Sequence, residues 1–282
     1  MEKIFGVVIL YQPSQEVIAH MHSYLPLVDK LIVMDNSEPE SAIDLNSLGN
    51  KAVLIADGIN KGIAERLNAA AAMAIDEDAE WLLTMDQDSS FDESDRAHYR
   101  QCFSGMQGKE KIAMIGVAYE KKVVAAGCSF DATDMLITSG SLVNLKIHQA
   151  LGGFDENLFI DEVDFEYCLR ANQQGFATVK LKNVHMSHSL GTAFEFRSVK
   201  NFKKTSRTLH TPVRLYYMVR NYFYVKSLYH SGPSPSLRIK KKDLLNRIKN
   251  HLLYAGAKFK TIRFIIKGFA DYKARRMGKM AP

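Results

Sequence analysis

Apolar and polar positions fall into blocks along the first half of the chain. Residues 4–10 are an unbroken apolar run closed by Tyr11-Gln12-Pro13-Ser14, the pattern of a strand buried on both faces and ending in a turn. The period then changes: over residues 16–27, Val17, Ile18, Met21 and Leu25 recur at helical spacing. Residues 30–34 and 52–56 read as further strands, closed by Asp35-Asn36-Ser37 and by Asp57-Gly58-Ile59-Asn60-Lys61-Gly62. The alanine-rich stretch 63–75 favours helix, and residues 81–85 return to a buried strand. Four strand-to-helix units, each with a polar cluster at the strand's carboxyl end, predict a doubly wound α/β sheet with its ligand crevice along that edge. Residues 112–117, 135–143 and 177–181 are strand-like as well. Within them Thr138-Ser139-Gly140-Ser141 puts small residues where a backbone could approach a ligand.

Beyond Gly232-Pro233-Ser234-Pro235 the period becomes helical again. Leu244, Leu245, Ile248, Leu252, Leu253, Phe259, Ile262, Ile266 and Phe269 recur in steps of three and four, with Arg247, Lys258, Lys260, Arg263 and Lys267 between them. This is a basic amphipathic helix, or two. Such a stripe either packs on the domain or lies on an anionic membrane, where each nearby Lys or Arg adds about 1 kcal/mol of attraction.

Charge sharpens the division. Residues 1–195 carry 15 Lys and Arg against 29 Asp and Glu, whereas residues 196–282 carry 22 against 2. An acidic body and a basic tail meet different partners, with the functional boundary near Glu195. Cys102, Cys128 and Cys168 are far apart, odd in number and without metal spacing, which predicts a reducing cytoplasmic setting and no disulfide framework. The short apolar run after Met1-Glu2-Lys3 does not fit a signal peptide, and no apolar run is long enough to span a bilayer.

The candidate chemistry centres on Trp81-Leu82-Leu83-Thr84-Met85-Asp86-Gln87-Asp88-Ser89-Ser90. Alternate residues of an extended chain share a face, so Asp86 and Asp88 can project together as hard oxygen ligands for Mg²⁺ or Mn²⁺. The competing possibility is a solvated turn leading to a helix N-cap near Asp92. A second acidic run, Asp161-Glu162-Val163-Asp164-Phe165-Glu166, precedes Tyr167-Cys168-Leu169-Arg170. If it is helical, Asp161 and Asp164 share a face, and mutual repulsion would raise the apparent pKa of one of them. Alternatively these acids are a first turn favoured by the helix dipole.

Taken in order, Val8-Ile9-Leu10-Tyr11-Gln12-Pro13, Asp35-Asn36-Ser37, Asn60-Lys61-Gly62-Ile63-Ala64 with Asn68, and Asp86-Gln87-Asp88 resemble the nucleotide-binding half of family 2 glycosyltransferases of the GT-A fold. The resemblance implies that Tyr11 and Pro13 line the base pocket and that Asp35 contacts base or ribose. It further implies that Asn60 and Gly62 close over the nucleotide, with Asp86 also on the nucleotide side and Asp88 ligating the metal. Aligned on Cys168-Leu169-Arg170, Asp164 falls on the family's base position. Val163 stands where the family has glutamate, so Asp161 and Glu166 stay candidates. His188, before Ser189-Leu190-Gly191, resembles the late histidine that meets metal or diphosphate, while His185 faces the other way. Thr211-Pro212-Val213-Arg214-Leu215-Tyr216-Tyr217 and Arg220-Asn221 are similar to a segment of bacterial rhamnosyltransferases.

The resemblance implies a mixed, mostly parallel sheet over residues 1–210, with a nucleotide half to about 110 and an acceptor half from about 111. Residues 211–282 form the basic helical region. It also implies an inverting, metal-dependent enzyme moving L-rhamnose from a dTDP-β-L-rhamnose donor to a lipid-linked saccharide, peripheral to the inner face of the cell membrane. A UDP-hexose donor is the nearest alternative. A nucleotidyltransferase would carry a glycine- and arginine-rich loop near the first strand, which Tyr11-Gln12-Pro13-Ser14 is not. A nucleic-acid binder fits the sequence pI near 9.0 but not the acidic body.

Overall fold

A computed structural model describes residues 2–119, 127–188, 193–197, 204–229 and 235–281, with backbone alone for 193–197 and 205–208. Ser189-Leu190-Gly191 and Gly232-Pro233-Ser234 lie outside the described residues.

The chain begins with β1 (Ile4–Leu10), α1 (Val17–Tyr24), β2 (Lys30–Asp35), β3 (Ala52–Ala56), α2 (Gly62–Asp76) and β4 (Trp81–Asp86). It continues with β5 (Ser89–Ser90), α3 (Glu93–Gly105), β6 (Ile112–Ala118), β7 (Phe130–Ala132), β8 (Ser141–Asn144), α4 (Leu145–Leu151), α5 (Val163–Gln173), β9 (Ala177–His185) and β10 (Ser187–His188). The hairpin β11 (Ala193–Arg197) and β12 (Lys204–Thr208) leads to α6 (Pro212–Leu228), α7 (Pro235–Tyr254) and α8 (Lys258–Lys273).

Eight strands form one sheet in the order β3-β2-β1-β4-β8-β6-β9-β7. The first four are parallel, β8 runs antiparallel to β4 and β6, β6 and β9 are parallel, and β7 is an antiparallel edge. Strand order reverses at β1, so the carboxyl ends of β1 and β4 flank a crevice of the kind where open α/β sheets bind ligands. The apolar runs of β1, β2 and β4 are buried almost throughout, as strands with both faces covered must be.

Four sequence expectations are corrected. Only three of the first four strands are followed by an α-helix. Between β2 and β3 the Asp35 carboxylate accepts hydrogen bonds from the Ser37 and Ser41 amides, and the loop reaches β3 through a 3₁₀ turn at Asn46–Lys51. Local side-chain-to-backbone bonding of this kind competes with helix. The strand expected over residues 135–143 is confined to Ser141–Asn144. Gly140 has φ +74°, which ends extension there. Asp161 and Glu162 lie outside α5 with φ of 65° and 67°, so Asp161 and Asp164 do not share a helical face. Finally, Cys102 and Cys128 form a disulfide; a separation of 26 residues in sequence says nothing of a Cα–Cα distance of 5.3 Å.

The described residues divide into two compact units. One runs to Phe159 and resumes from Val163 to His188; the other combines Ile160–Glu162 with the segment from Ala193 onward. In the second unit Leu244 and Ile248 of α7 pack with Leu215, Met218, Val219 and Tyr222 of α6. Gly268 brings α8 so close to α6 that a Cβ would lie 2.6 Å from the Tyr216 carbonyl oxygen. The outer stripe is uncovered within this unit: Leu245, Leu253, Ile262, Ile266 and Phe269 are exposed, and Phe259 is 91% exposed. Packing and exposure thus share the apolar stripe between them. No helix among the described residues is long and apolar enough to cross a membrane.

Candidate active site

Two carboxylates and an imidazole meet at the end of β4. The ligand atoms of Asp86, Asp88 and His188 lie within 4.8 Å of one another. Gln87 points the other way and holds Tyr11, accepting from its amide at 2.8 Å and donating to its carbonyl oxygen at 3.3 Å. This alternation leaves Asp86 and Asp88 on one side, as an extended chain requires. His188 arrives through the short antiparallel pair β5–β10, where it stands opposite Ser89. Its Nδ1 lies 2.8 Å from the Ser89 hydroxyl and 3.2 Å from Asp88 Oδ1. Ser139 Oγ donates to Ser89 Oγ and accepts from the Asp86 amide, which ties the small-residue segment before β8 to the cluster. The donor set suits Mn²⁺ or Mg²⁺: hard carboxylate oxygens with one imidazole, and hydroxyls behind them to orient the ligands.

Tyr119, just past β6, is a site residue the sequence pattern did not single out. Its hydroxyl donates to the Ser139 carbonyl oxygen at 3.0 Å, and its ring centroid lies 6.2 Å from that of His188. Although the side chain is 37% exposed, desolvation by its surroundings raises its pKa above the ordinary value, and the nearby charges of Asp164 and Asp86 act in the same direction, so the phenol stays neutral. The one available signal was position, since it is the polar residue at the carboxyl end of a strand. A cavity of about 320 Å³ beside it is lined by Asp92, Asp95, Tyr119, His185, Met186, Ser187 and His188. Asp92 caps α3 through the Asp95 amide, and Asp95 accepts from the His185 amide at 2.8 Å. His185 therefore supports the wall and lies outside the metal-type cluster.

The three candidate bases are in different situations. Asp164 is the second residue of α5, its Oδ1 accepting from the Phe165 amide, and its charge reaches Tyr119. Glu166 is buried and held in a two-point ion pair with Arg170 at 2.8 and 2.9 Å. Asp161 pairs with Arg214 at 3.1 Å. Asp164 and Asp86 of the cluster share Tyr119 as a neighbour.

On the nucleotide side, Tyr11 is exposed at the end of β1, followed by Gln12 with φ 47° and by Pro13. Asp35 is fully buried, with its carboxylate turned to its own loop. Burial alone would raise its pKa, but hydrogen bonds from Ser37 and Ser41 outweigh that and hold it below the ordinary range. Asn60 Oδ1 accepts from Asn36 Nδ2 at 2.9 Å and from the Gly62 amide at 3.0 Å. Arg66 braces this loop, bonding Asn36 Oδ1, the Ile59 carbonyl oxygen and both oxygens of Asp57. An arginine on the inward face of an otherwise alanine-rich helix was the signal for it. Gly62 has φ +83°, and a Cβ there would meet the Phe159 ring and carbonyl at 2.5–2.6 Å. The close approach that requires glycine comes from the protein's own Phe159. Asn68 has the same kind of role, bonding the Phe154 amide and carbonyl.

No family model matches the chain. By sequence it is similar to dTDP-rhamnosyl transferase RfbF of Shigella flexneri, 27% identical over 241 residues that cover 78% of each chain. Among solved structures it is similar to S. aureus TarS 1–349 in complex with UDP-GlcNAc, with TM-score 0.53 and 12% identity over 96% of this chain and 80% of that one. It is also similar to GalNAc-T7 with UDP, GalNAc and Mn²⁺, with TM-score 0.52 and 12% identity over 92% of this chain and 57% of that one. At these identities the structural likeness speaks for the fold: an eight-stranded mixed sheet of the GT-A type, flanked by helices.

Proposed function

We propose that this chain is a glycosyltransferase that uses a nucleotide-sugar donor, with dTDP-β-L-rhamnose as the donor and a lipid-linked saccharide as the acceptor. The observation that carries the proposal is the meeting of Asp86, Asp88 and His188 at the carboxyl end of β4, beside the Tyr11 loop that Gln87 holds. The likeness to a rhamnosyl transferase over 78% of the chain supports the donor sugar. Asp88 and His188, with Asp86, would hold Mn²⁺ or Mg²⁺. When bound, the ion supplies positive charge that offsets the charge developing on the departing nucleoside diphosphate.

Tyr11 and Pro13 flank the base, and the Asn36–Asn60–Arg66 network keeps the amides of Lys61 and Gly62 in place beside the nucleotide. Asp164 takes the proton from the acceptor hydroxyl as that oxygen attacks the anomeric carbon. Attack from the face opposite the leaving diphosphate inverts the configuration and gives an α-L-rhamnoside. Tyr119, whose hydroxyl donates to the Ser139 carbonyl oxygen, stays protonated and does not compete for the proton.

The outer stripe of α7 and α8 would rest on an anionic membrane surface where lipid-linked acceptors reside. Charge supports a lipid occupant over a second copy: Lys258, Lys260, Arg263, Lys267 and Lys273 line α8 against Asp271 alone, so two such faces would repel.

The experiment is release of dTDP from dTDP-L-rhamnose in the presence of Mn²⁺, run with the unmodified protein and with Asp88→Ala. Loss of a metal ligand should lower turnover by at least ~10² and abolish metal-dependent nucleotide binding in calorimetry, while the melting temperature holds. Wild-type turnover with the metal chelated overturns the metal assignment, and release of pyrophosphate from dTTP and rhamnose 1-phosphate, with no dTDP formed from the nucleotide sugar, overturns the reaction class.

A further inference from the structure

The segment leading into α5 is held in an unusual backbone. Phe159, Asp161 and Glu162 have φ of 56°, 65° and 67°, and non-glycine side chains rarely adopt the left-handed region, least of all in succession. A conformation of this sort persists only where surrounding contacts over-determine it.

Those contacts come from the C-terminal helices, with which residues 160–162 form one compact unit. Asn221 of α6, fully buried, donates through Nδ2 to the carbonyl oxygens of Ile160 at 2.7 Å and Asp161 at 3.0 Å. Its orientation is set from behind: Arg220 Nε donates to Asn221 Oδ1 at 3.0 Å, so the NH₂ group must face the carbonyls. Arg220 is itself fixed by the Gly278 carbonyl oxygen at 2.7 Å and lies over the rings of Tyr216 and Tyr217. Side-chain charges are held too, Asp161 by Arg214 at 3.1 Å and Glu162 by Lys240 of α7 at 3.1 Å. The next residue, Val163, begins α5, and Asp164 follows it.

We propose that Asn221, Arg214 and Lys240 are positioning residues for the reaction. They clamp the left-handed Asp161-Glu162 pair, and through the covalent chain the clamp sets where Asp164 stands. The consequence is that the C-terminal helices take part in catalysis in addition to any docking role. This rests on the reading of Asp164 as the base.

Arg214 is partly exposed, so Arg214→Ala should leave the fold intact. With dTDP-L-rhamnose as donor and water as acceptor, Arg214→Ala should lower kcat about tenfold with donor KM and dTDP affinity unchanged. Arg214→Lys should recover most of that loss. Asn221→Ala should have the larger effect, and Glu162→Gly in that background should restore part of it, because glycine holds a positive φ unaided. Hydrogen exchange provides a readout independent of turnover: amides 161–167 should exchange faster in Arg214→Ala and Asn221→Ala. Wild-type kcat together with wild-type exchange in Arg214→Ala overturns the clamp, as does a parallel fall of kcat and dTDP affinity. If the unmodified protein releases no dTDP, the assigned reaction fails while the exchange arm still decides the clamp.

Discussion

Asp164 and Glu166 stand two residues apart in one helix, and burial and pairing assign them opposite kinds of work. Glu166 is locked to Arg170 with both oxygens engaged, whereas the Asp164 charge acts on Tyr119, as that of Asp86 does. Asp164→Asn should therefore lower kcat by ~10² to 10⁴, the usual worth of general-base help, with donor affinity and melting temperature retained. Glu166→Gln should do the reverse. It removes one partner of a buried pair, for about 2–3 kcal/mol of stability after allowance for the partly exposed Arg170, and changes kcat little in the protein that remains folded. Steady-state kinetics and thermal melts on both variants check this. A dead Glu166→Gln beside an active Asp164→Asn would mean that the base is the wrong carboxylate. That distinction was out of reach in sequence, where Asp161, Asp164 and Glu166 are three of four acids in six residues; it depends on what each meets in space.

At the scale of elements, α4 contains a histidine in a setting that makes stability depend on pH. His148 stacks near Phe154 and Tyr167 at 5.1 and 5.8 Å, and its Nδ1 is buried without a hydrogen-bond partner. Burial lowers its pKa to about 4, with Arg170 adding to the effect. Above pH ~6.5 the ring is neutral whether the chain is folded or not, so stability is unaffected. As pH falls from there toward 4, the unfolded chain takes up a proton that the folded one refuses, and stability declines by up to about 3 kcal/mol. Melting temperature should drop between pH 7 and pH 5, and His148→Phe, which keeps the stacking and loses the titration, should make that drop smaller. His210, lowered to about 4 by burial together with Arg247 and Arg214, will leave some of the slope in place. An unchanged slope in His148→Phe would rule out this account.

Across the whole molecule the question is what meets the basic C-terminal segment. Because Leu244 and Ile248 belong to a packed cluster with α6, truncation before α7 would expose core and mix two effects. The cleaner change is Phe259→Ser, Ile262→Ser and Ile266→Ser together, which removes apolar side chains from the exposed stripe alone. Sedimentation with phosphatidylglycerol vesicles should fall at least tenfold for the triple variant, since each buried side chain is worth about 1.5–3 kcal/mol, while the melting temperature holds. Binding by the unmodified protein should weaken as salt rises. A protein that ignores vesicles and runs as a dimer lost in the triple variant would assign the stripe to self-association.

The sequence by itself determined the repeating strands and helices of the sheet, because a buried parallel strand must be apolar and a strand end that binds a ligand must be polar. It also put Asp86, Gln87 and Asp88 at the carboxyl end of a strand and set an acidic body against a basic tail. Tertiary structure alone decided what depends on residues distant in sequence. It brought His188 to Asp88 through a two-residue strand pair and joined Cys102 to Cys128. It turned Asp35 into its own loop, and it recruited Asn221 to the carbonyls of Ile160 and Asp161 and Arg214 to the Asp161 carboxylate, just before Asp164. Local patterns register burial and period, which are properties of neighbours along the chain. Partner choice for a charge, an amide or a thiol is a property of neighbours in space, and those exist only once the chain has folded.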